Sequence, residues 1–169
     1  LDQIFHRLLG RFGPQGWWPS AGPFETMVGS ILTQATSWKN VEKAISNLKQ
    51  AETMTPTELR RLPIGELALL IRPCLYYNVK ARKLKALVEW LHSYGDSLDA
   101  AFAKDTLEMR DELLSIFGVG EETADSILLY AAQKPAFVID AYTHRVLTRT
   151  GLAGGKDKYA HLQCLFTKN

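Results

Sequence analysis

The sequence predicts an all-α protein of two lobes, and three observations carry that expectation. Apolar residues recur at helical spacing in nearly every segment, alternating strand patterns are scarce, and short glycine- and proline-rich loops divide the chain into roughly ten short helices. The composition agrees: 46% of the 169 residues are hydrophobic and 22% charged, enough apolar material for a sizeable core and too little charge for a disordered chain.

The elements follow in order. Ile4, Phe5, Leu8 and Leu9 mark a first amphipathic helix. The stretch from Gly10 to Pro23 reads as a loop, with Trp17 and Trp18 off any periodic face; capping a core and binding a ligand both suit two such tryptophans. Val41, Ala44, Ile45 and Leu48 give the next apolar stripe. Thr55-Pro56, with Glu58 at the third helical position, is a helix start, and Leu62–Gly65 a loop. Leu84, Leu87, Val88 and Leu91 line a longer helix that stops at Gly95. Asp96 before Leu98, and Asp105 with Glu108 three residues on, open two more. A further helix carries Arg145 and Arg149, and the loop Gly151–Gly155 follows.

Several function classes fall away at this stage. No apolar run approaches the ~20 residues that span a bilayer, and the N-terminus lacks the order of a signal peptide, so a cytoplasmic, nucleoid-associated bacterial protein is expected. Cys74 and Cys164 show no CxxC spacing; buried, inert thiols are expected, with no metal site. A net charge of +2 does not advertise a nucleic-acid partner, so motifs must carry the case.

The segment LLSIFGVGEETADSILLYAA places an apolar helix end before Gly118-Val119-Gly120 and a second helix bearing Ala124, Ile127, Leu128 and Ala131. Two glycines one residue apart permit a tight turn that points backbone N–H groups outward at a helix start, where the helix dipole also favours an anion. An ordinary C-cap glycine followed by a turn glycine is the plainer reading. Twenty residues beyond Gly120, Asp140 follows the apolar run Phe137-Val138-Ile139. Catalysis and N-capping both suit a carboxylate there.

Together these residues resemble the endonuclease III superfamily, the helix-hairpin-helix (HhH-GPD) DNA glycosylases, in which such a hairpin is followed by a catalytic aspartate. The resemblance implies an all-α, two-lobed glycosylase fold, with Asp140 as the catalytic residue and Gly118, Val119 and Gly120 as the phosphate-binding hairpin. ILTQAT (31–36) is similar to the segment whose glutamine fills the gap left by a flipped nucleotide, a place taken by Gln34. YYNVKARKL (76–84) resembles the minor-groove loop, making Leu75 or Tyr76 the candidate wedge and bringing Asn78 and Lys80 near DNA. A solvated helix face remains the alternative for at least two of Lys80, Arg82, Lys83 and Lys85.

Two departures narrow the implied activity. Bifunctional members carry a Schiff-base lysine two residues after the hairpin's last glycine, where this chain has Glu122, so lyase chemistry is put in doubt. The adenine-mismatch branch carries a glutamate where this chain has Gly29. A closer resemblance is to the 3-methyladenine DNA glycosylase branch, through Trp17-Trp18-Pro19, Phe24-Glu25 and Trp38. Trp17, Trp18, Pro19 and Trp38 are then the expected lining of a base pocket.

The expected organisation is a helical barrel over 20–134, with the helix-hairpin-helix at about 107–133, and a second lobe formed by 1–19 with 135–169. The expected activity is hydrolysis, by a monomer, of the N-glycosidic bond of a damaged, alkylated purine flipped out of double-stranded DNA. A bifunctional glycosylase/AP lyase and a non-catalytic DNA-binding module are the alternatives. No cofactor is expected in this chain. Many relatives ligate a 4Fe–4S cluster with four cysteines about fifty residues beyond the aspartate, and YAHLQCLFTKN reads as a helix without a closing cap. The natural protein is therefore expected to continue past Asn169, with the second lobe incomplete at its C-terminus.

Overall fold

The computed structural model describes residues 1–167, and the regular elements among them are all helical. They are α1 (Asp2–Phe12), α2 (Pro23–Leu32), α3 (Trp38–Gln50), α4 (Pro56–Arg61), α5 (Ile64–Leu70), α6 (Tyr77–His92), α7 (Leu98–Phe102), α8 (Thr106–Ser115), α9 (Glu121–Ser126), a π-helical turn (Ile127–Ala131), α10 (Ala141–Arg149) and α11 (Tyr159–Thr167). They divide into two compact units, one of Ala21–Ala136 and one of Leu1–Ser20 with the chain from Phe137 onward. None of these helices is long and apolar enough to cross a membrane.

In the larger unit α2 is the central element. Its sequence, PFETMVGSIL, carries a single charge and is apolar nearly all round, so it buries every residue but Pro23 and Glu25. It packs against α3, α6, α9 and the π-turn. Around it, α3 buries Val41, Ala44, Ile45 and Leu48, and α6 buries Ala81, Leu84, Leu87, Val88 and Leu91, the faces that their periodicity marks.

The helix starts agree with the sequence at two of three places. Thr55 accepts from the Glu58 N–H at 3.2 Å, and Asp105 from the Leu107 N–H at 2.8 Å. Asp96, expected to cap α7, does not: Ser97 is the cap, accepting from the Ala100 N–H at 3.2 Å. Asp96 sits instead in the left-handed region (φ 61°) and accepts from Thr57 Oγ1 at 2.7 Å and Arg60 at 3.2 Å, tying α4 to the end of α6. Long-range partners of greater strength have taken the aspartate, and the neighbouring serine is left to cap. Gly65, expected in a loop, is the second residue of α5.

A polar network joins α6 to α8. Glu112 accepts from Trp90 Nε1 at 3.0 Å, from the Tyr94 hydroxyl and from the Lys104 ammonium. The bonds from Lys104 and Tyr94 hold the Glu112 carboxyl below the ordinary glutamate range. A carboxylate held low in the folded state contributes stability that is complete above the unfolded value near 4.5 and is lost as pH falls through the folded one. Thermal unfolding followed from pH 6 into this acid range, with pH values chosen on the usual glutamate scale of about 4–5, should show a steeper fall for the native chain than for Glu112→Gln.

The smaller unit has its own core of Ile139, Leu147 and Leu162, with Phe137, Tyr159, Leu165 and Phe166 packed on it. The extended segment before α10 is braced by α11 at three points. Phe137 stacks on Phe166 (centroids 3.8 Å apart, planes at 8°), Gln163 Nε2 donates to the Phe137 carbonyl at 2.8 Å, and the Ile139 N–H donates to the Tyr159 hydroxyl at 3.2 Å. In α1 no residue is buried, and Phe5, Leu8, Leu9 and Phe12 form an exposed apolar stripe.

Candidate active site

The hairpin forms between α8 and α9. After Ser115 the chain turns through Gly118, whose φ of 81° is costly for any residue with a Cβ, and the Val119 N–H donates to the Ile116 carbonyl at 3.0 Å. Gly120 is the N-cap of α9 and brings no side chain over the first-turn N–H groups. A Cβ at Gly120 would meet nothing within 4 Å, so the space above those groups is open on the protein side. The arrangement offers backbone donors to an anion, opposed by Glu121 and Glu122 on the same turn. Glu121 is partly offset by Arg110 at 3.8 Å. The same Arg110 grips Asp125 through Nε and Nη2, at 2.7 and 3.2 Å, stapling α8 to α9.

Gln34, at the turn after α2, reaches into this hairpin. Its Nε2 donates to the Gly118 carbonyl at 3.1 Å and to Thr123 Oγ1 at 2.9 Å, and its Oε1 accepts from Lys83 Nζ at 2.6 Å. The sequence marks Lys83 only as one of four α6 cations and does not mark Thr123, since these partners lie 49 and 89 residues from Gln34.

The wedge candidates precede α6 and face solvent. Leu75 is 59% and Tyr76 71% exposed, and Tyr76 holds the left-handed conformation (φ 57°), which a bulky residue adopts only under constraint. Asn78 is exposed beside them, whereas Tyr77 packs on the main core. Phe117 at the hairpin tip is exposed as well, with the Arg82 guanidinium 5.6 Å from its ring.

Lys80 requires a correction. Expected at DNA, it is 2% exposed and turned inward, donating to the Leu32 carbonyl at 2.8 Å and to Thr36 Oγ1 at 2.5 Å. It caps the C-terminal end of α2, where carbonyls are left over and the dipole favours a cation. Burial pushes its ammonium below the ordinary lysine value, an effect that Cys74 opposes and Lys83 reinforces. Lys85 does the same for α4, donating to the Leu59 and Arg60 carbonyls at 2.8 and 2.7 Å and to that of Leu62. Three lysines of α6 are thus tertiary caps and ties, neither a DNA-facing row nor a solvated face.

Asp140 lies in the smaller unit as the N-cap of α10. Its Oδ1 accepts from the Thr143 N–H at 2.7 Å, and its own carbonyl accepts from His144 N–H at 3.0 Å. The second carboxylate oxygen has no hydrogen-bond partner among the described residues, and the side chain is half-buried. The cap therefore fixes the carboxylate and leaves one oxygen for an external group. Beyond it, α10 exposes Tyr142, Arg145 and Arg149, with the Arg145 guanidinium 5.2 Å from the Tyr142 ring.

The expected aromatic lining divides between the units. In the smaller one Trp17 is 65% exposed, Trp18 half-buried and Pro19 exposed. In the larger one Trp38 opens α3 and packs against the main core. Charge divides too: residues 1–20 and 137–169 hold seven Lys/Arg against three Asp/Glu, and residues 21–136 hold thirteen against fifteen. The formal charge is therefore +4 in the Asp140 unit and −2 in the larger one. Cys74, a thiol raised above its ordinary range by burial, and Cys164 are two cysteines, too few to hold a four-thiolate cluster, and no step is assigned to one.

Residues 28–169 match the model of the HhH-GPD superfamily base excision DNA repair proteins. The chain belongs to that family. Over its whole length it is 47% identical to a protein of Methanocaldococcus jannaschii that bears the name of a DNA repair glycosylase, covering 78% of that relative. It is 31% identical to endonuclease III of Sulfolobus acidocaldarius over 85% of its own length, and spans 63% of that enzyme. Among solved structures it is similar to H. pylori 3-methyladenine DNA glycosylase bound to 1,N6-ethenoadenine, with a TM-score of 0.85 and 31% identity over 99% of this chain and 78% of the other. This HhH-GPD chain therefore shares the fold of DNA glycosylases, as its hairpin and aspartate predict.

Proposed function

We propose that this HhH-GPD chain carries the catalytic machinery of a monofunctional DNA glycosylase that hydrolyses the N-glycosidic bond of an alkylated purine in double-stranded DNA. The observation that carries this reading is Asp140: a carboxylate fixed by its helix cap through one oxygen, with the other unengaged by the described protein.

In this mechanism the hairpin N–H groups hold a backbone phosphate, Tyr76 or Leu75 wedges the duplex, and the target base leaves the stack. Trp17 and Trp18, in the unit that carries Asp140, supply ring faces for that base. N3- or N7-alkylation makes the purine cationic, and attraction to an aromatic face then favours the lesion by about 0.5–2 kcal/mol. As the C1′–N bond lengthens, its electron pair passes to the base, and the Asp140 carboxylate stabilises the positive charge growing on the sugar. Water adds its oxygen to C1′ and gives a proton to Asp140 or to solvent. The departing base, already cationic, becomes neutral on accepting the electron pair, so no strong acid is required opposite it. The resemblance in fold and sequence to the 3-methyladenine enzyme supports this choice of lesion.

Glu122 supports hydrolysis over lyase chemistry. A carboxylate cannot form an imine, and the α6 amines of Lys80, Lys83 and Lys85 are all engaged in hydrogen bonds within the larger unit. Borohydride added to the protein with duplexes bearing 3-methyladenine should trap no covalent adduct, with strand breaks only after alkali or heat. A trapped complex would return the activity to the bifunctional class.

A further inference from the structure

We propose that Lys83 is a positioning residue that holds Gln34 and the hairpin in one register, and so sets how well the chain prefers a duplex with a vacated base position. The proposal rests on the glycosylase reading above, in which Gln34 fills that position. Three observations converge on it. First, the Gln34 amide is engaged at both ends: its two Nε2 hydrogens go to the Gly118 carbonyl and Thr123 Oγ1, and Oε1 accepts from Lys83 Nζ at 2.6 Å. Turned over, it would set its NH2 against the ammonium and its oxygen against the carbonyl, so Lys83 decides its orientation. Second, the aliphatic stem of Lys83 crosses the hairpin glycine; a Cβ at Gly118 would lie 2.4–2.5 Å from its Cγ, Cδ and Cε. Gly118 is thus required by its φ and again as the seat of Lys83. Third, Lys83 belongs to α6, whose N-cap is the exposed Tyr76. One side chain ties the wedge helix, the gap-filling glutamine and the hairpin together.

The test measures dissociation constants for two duplexes of one sequence, undamaged and with a single tetrahydrofuran abasic analogue, over a range of salt. Lys83→Met keeps the stem and removes the ammonium. It should lower the preference for the abasic duplex by about tenfold, as one charge-assisted hydrogen bond does, and leave the salt slope unchanged. Thr123→Val, which touches Gln34 from the other side, should give a similar loss and carries the test where Lys83→Met fails to fold. Gln34→Ala with Lys83→Met should be no worse than Gln34→Ala alone, because Lys83 acts through Gln34. A preference retained in a folded Lys83→Met, or in Thr123→Val where Lys83→Met does not fold, additive losses, or a salt slope reduced by roughly 0.9, the mark of a direct phosphate contact, would overturn the assignment. A native chain that prefers neither duplex would overturn the glycosylase reading itself, and this proposal with it.

Discussion

Asp140→Asn is expected to leave the fold and DNA affinity intact and to lower base release by on the order of a thousandfold. Asparagine caps helices about as well as aspartate, and its Oδ1 still accepts from the Thr143 N–H, so α10 keeps its start. What disappears is the negative charge opposite the developing oxocarbenium ion and the acceptor for the water's proton. The decisive comparison is single-turnover release of 3-methyladenine against binding of the abasic duplex, measured on the same preparation. Release near the native rate would reduce Asp140 to a helix cap and would assign the chemistry to another group.

The sequence revealed most where local rules decide the outcome. The stripes of α3 and α6, the Thr55 and Asp105 caps and the Gly118 turn are all fixed within a few residues, and they form as read. It revealed least where a long side chain chooses a partner far along the chain. A lysine on a helix flank has the same pattern whether its ammonium meets water, phosphate or the orphan carbonyls of another helix. Lys80 and Lys85 take the carbonyls because α6 runs past the ends of α2 and α4, a tertiary fact with no local trace. The brace behind Asp140 was hidden for the same reason. Tyr159 and Gln163 read as ordinary members of a terminal helix, yet they hold the Phe137–Ile139 backbone that delivers the carboxylate. Net charge concealed the electrostatics in a similar way, since the mild total of +2 is a basic unit and an acidic one added together.

Asp125→Ala should be the most destabilising change at the hairpin, costing about 2–3 kcal/mol, at the low end for a broken buried pair because Arg110 retains some exposure. Asp125 is 1% exposed and takes two bonds from Arg110, so its removal replaces two close bonds of a part-buried guanidinium by the more distant Glu121 carboxylate at 3.8 Å. The effect should reach function before the chain unfolds. Arg110 belongs to α8 and Asp125 to α9, and their bond sets the angle at which the Gly118–Gly120 turn presents its N–H groups. Affinity for undamaged duplex should therefore fall at temperatures where the variant is still folded. Removing both charges separates this account from a general loss of packing. Arg110→Met with Asp125→Leu, which replaces the pair by apolar groups of similar bulk, should recover most of the stability lost in Asp125→Ala, since no charge is left without a partner. Chemical denaturation of the native chain, the single variant and the double variant gives the three free energies. A double variant less stable than the single one would mean that the hydrogen-bonded geometry itself, and not the poorly paired charge, holds the hairpin together.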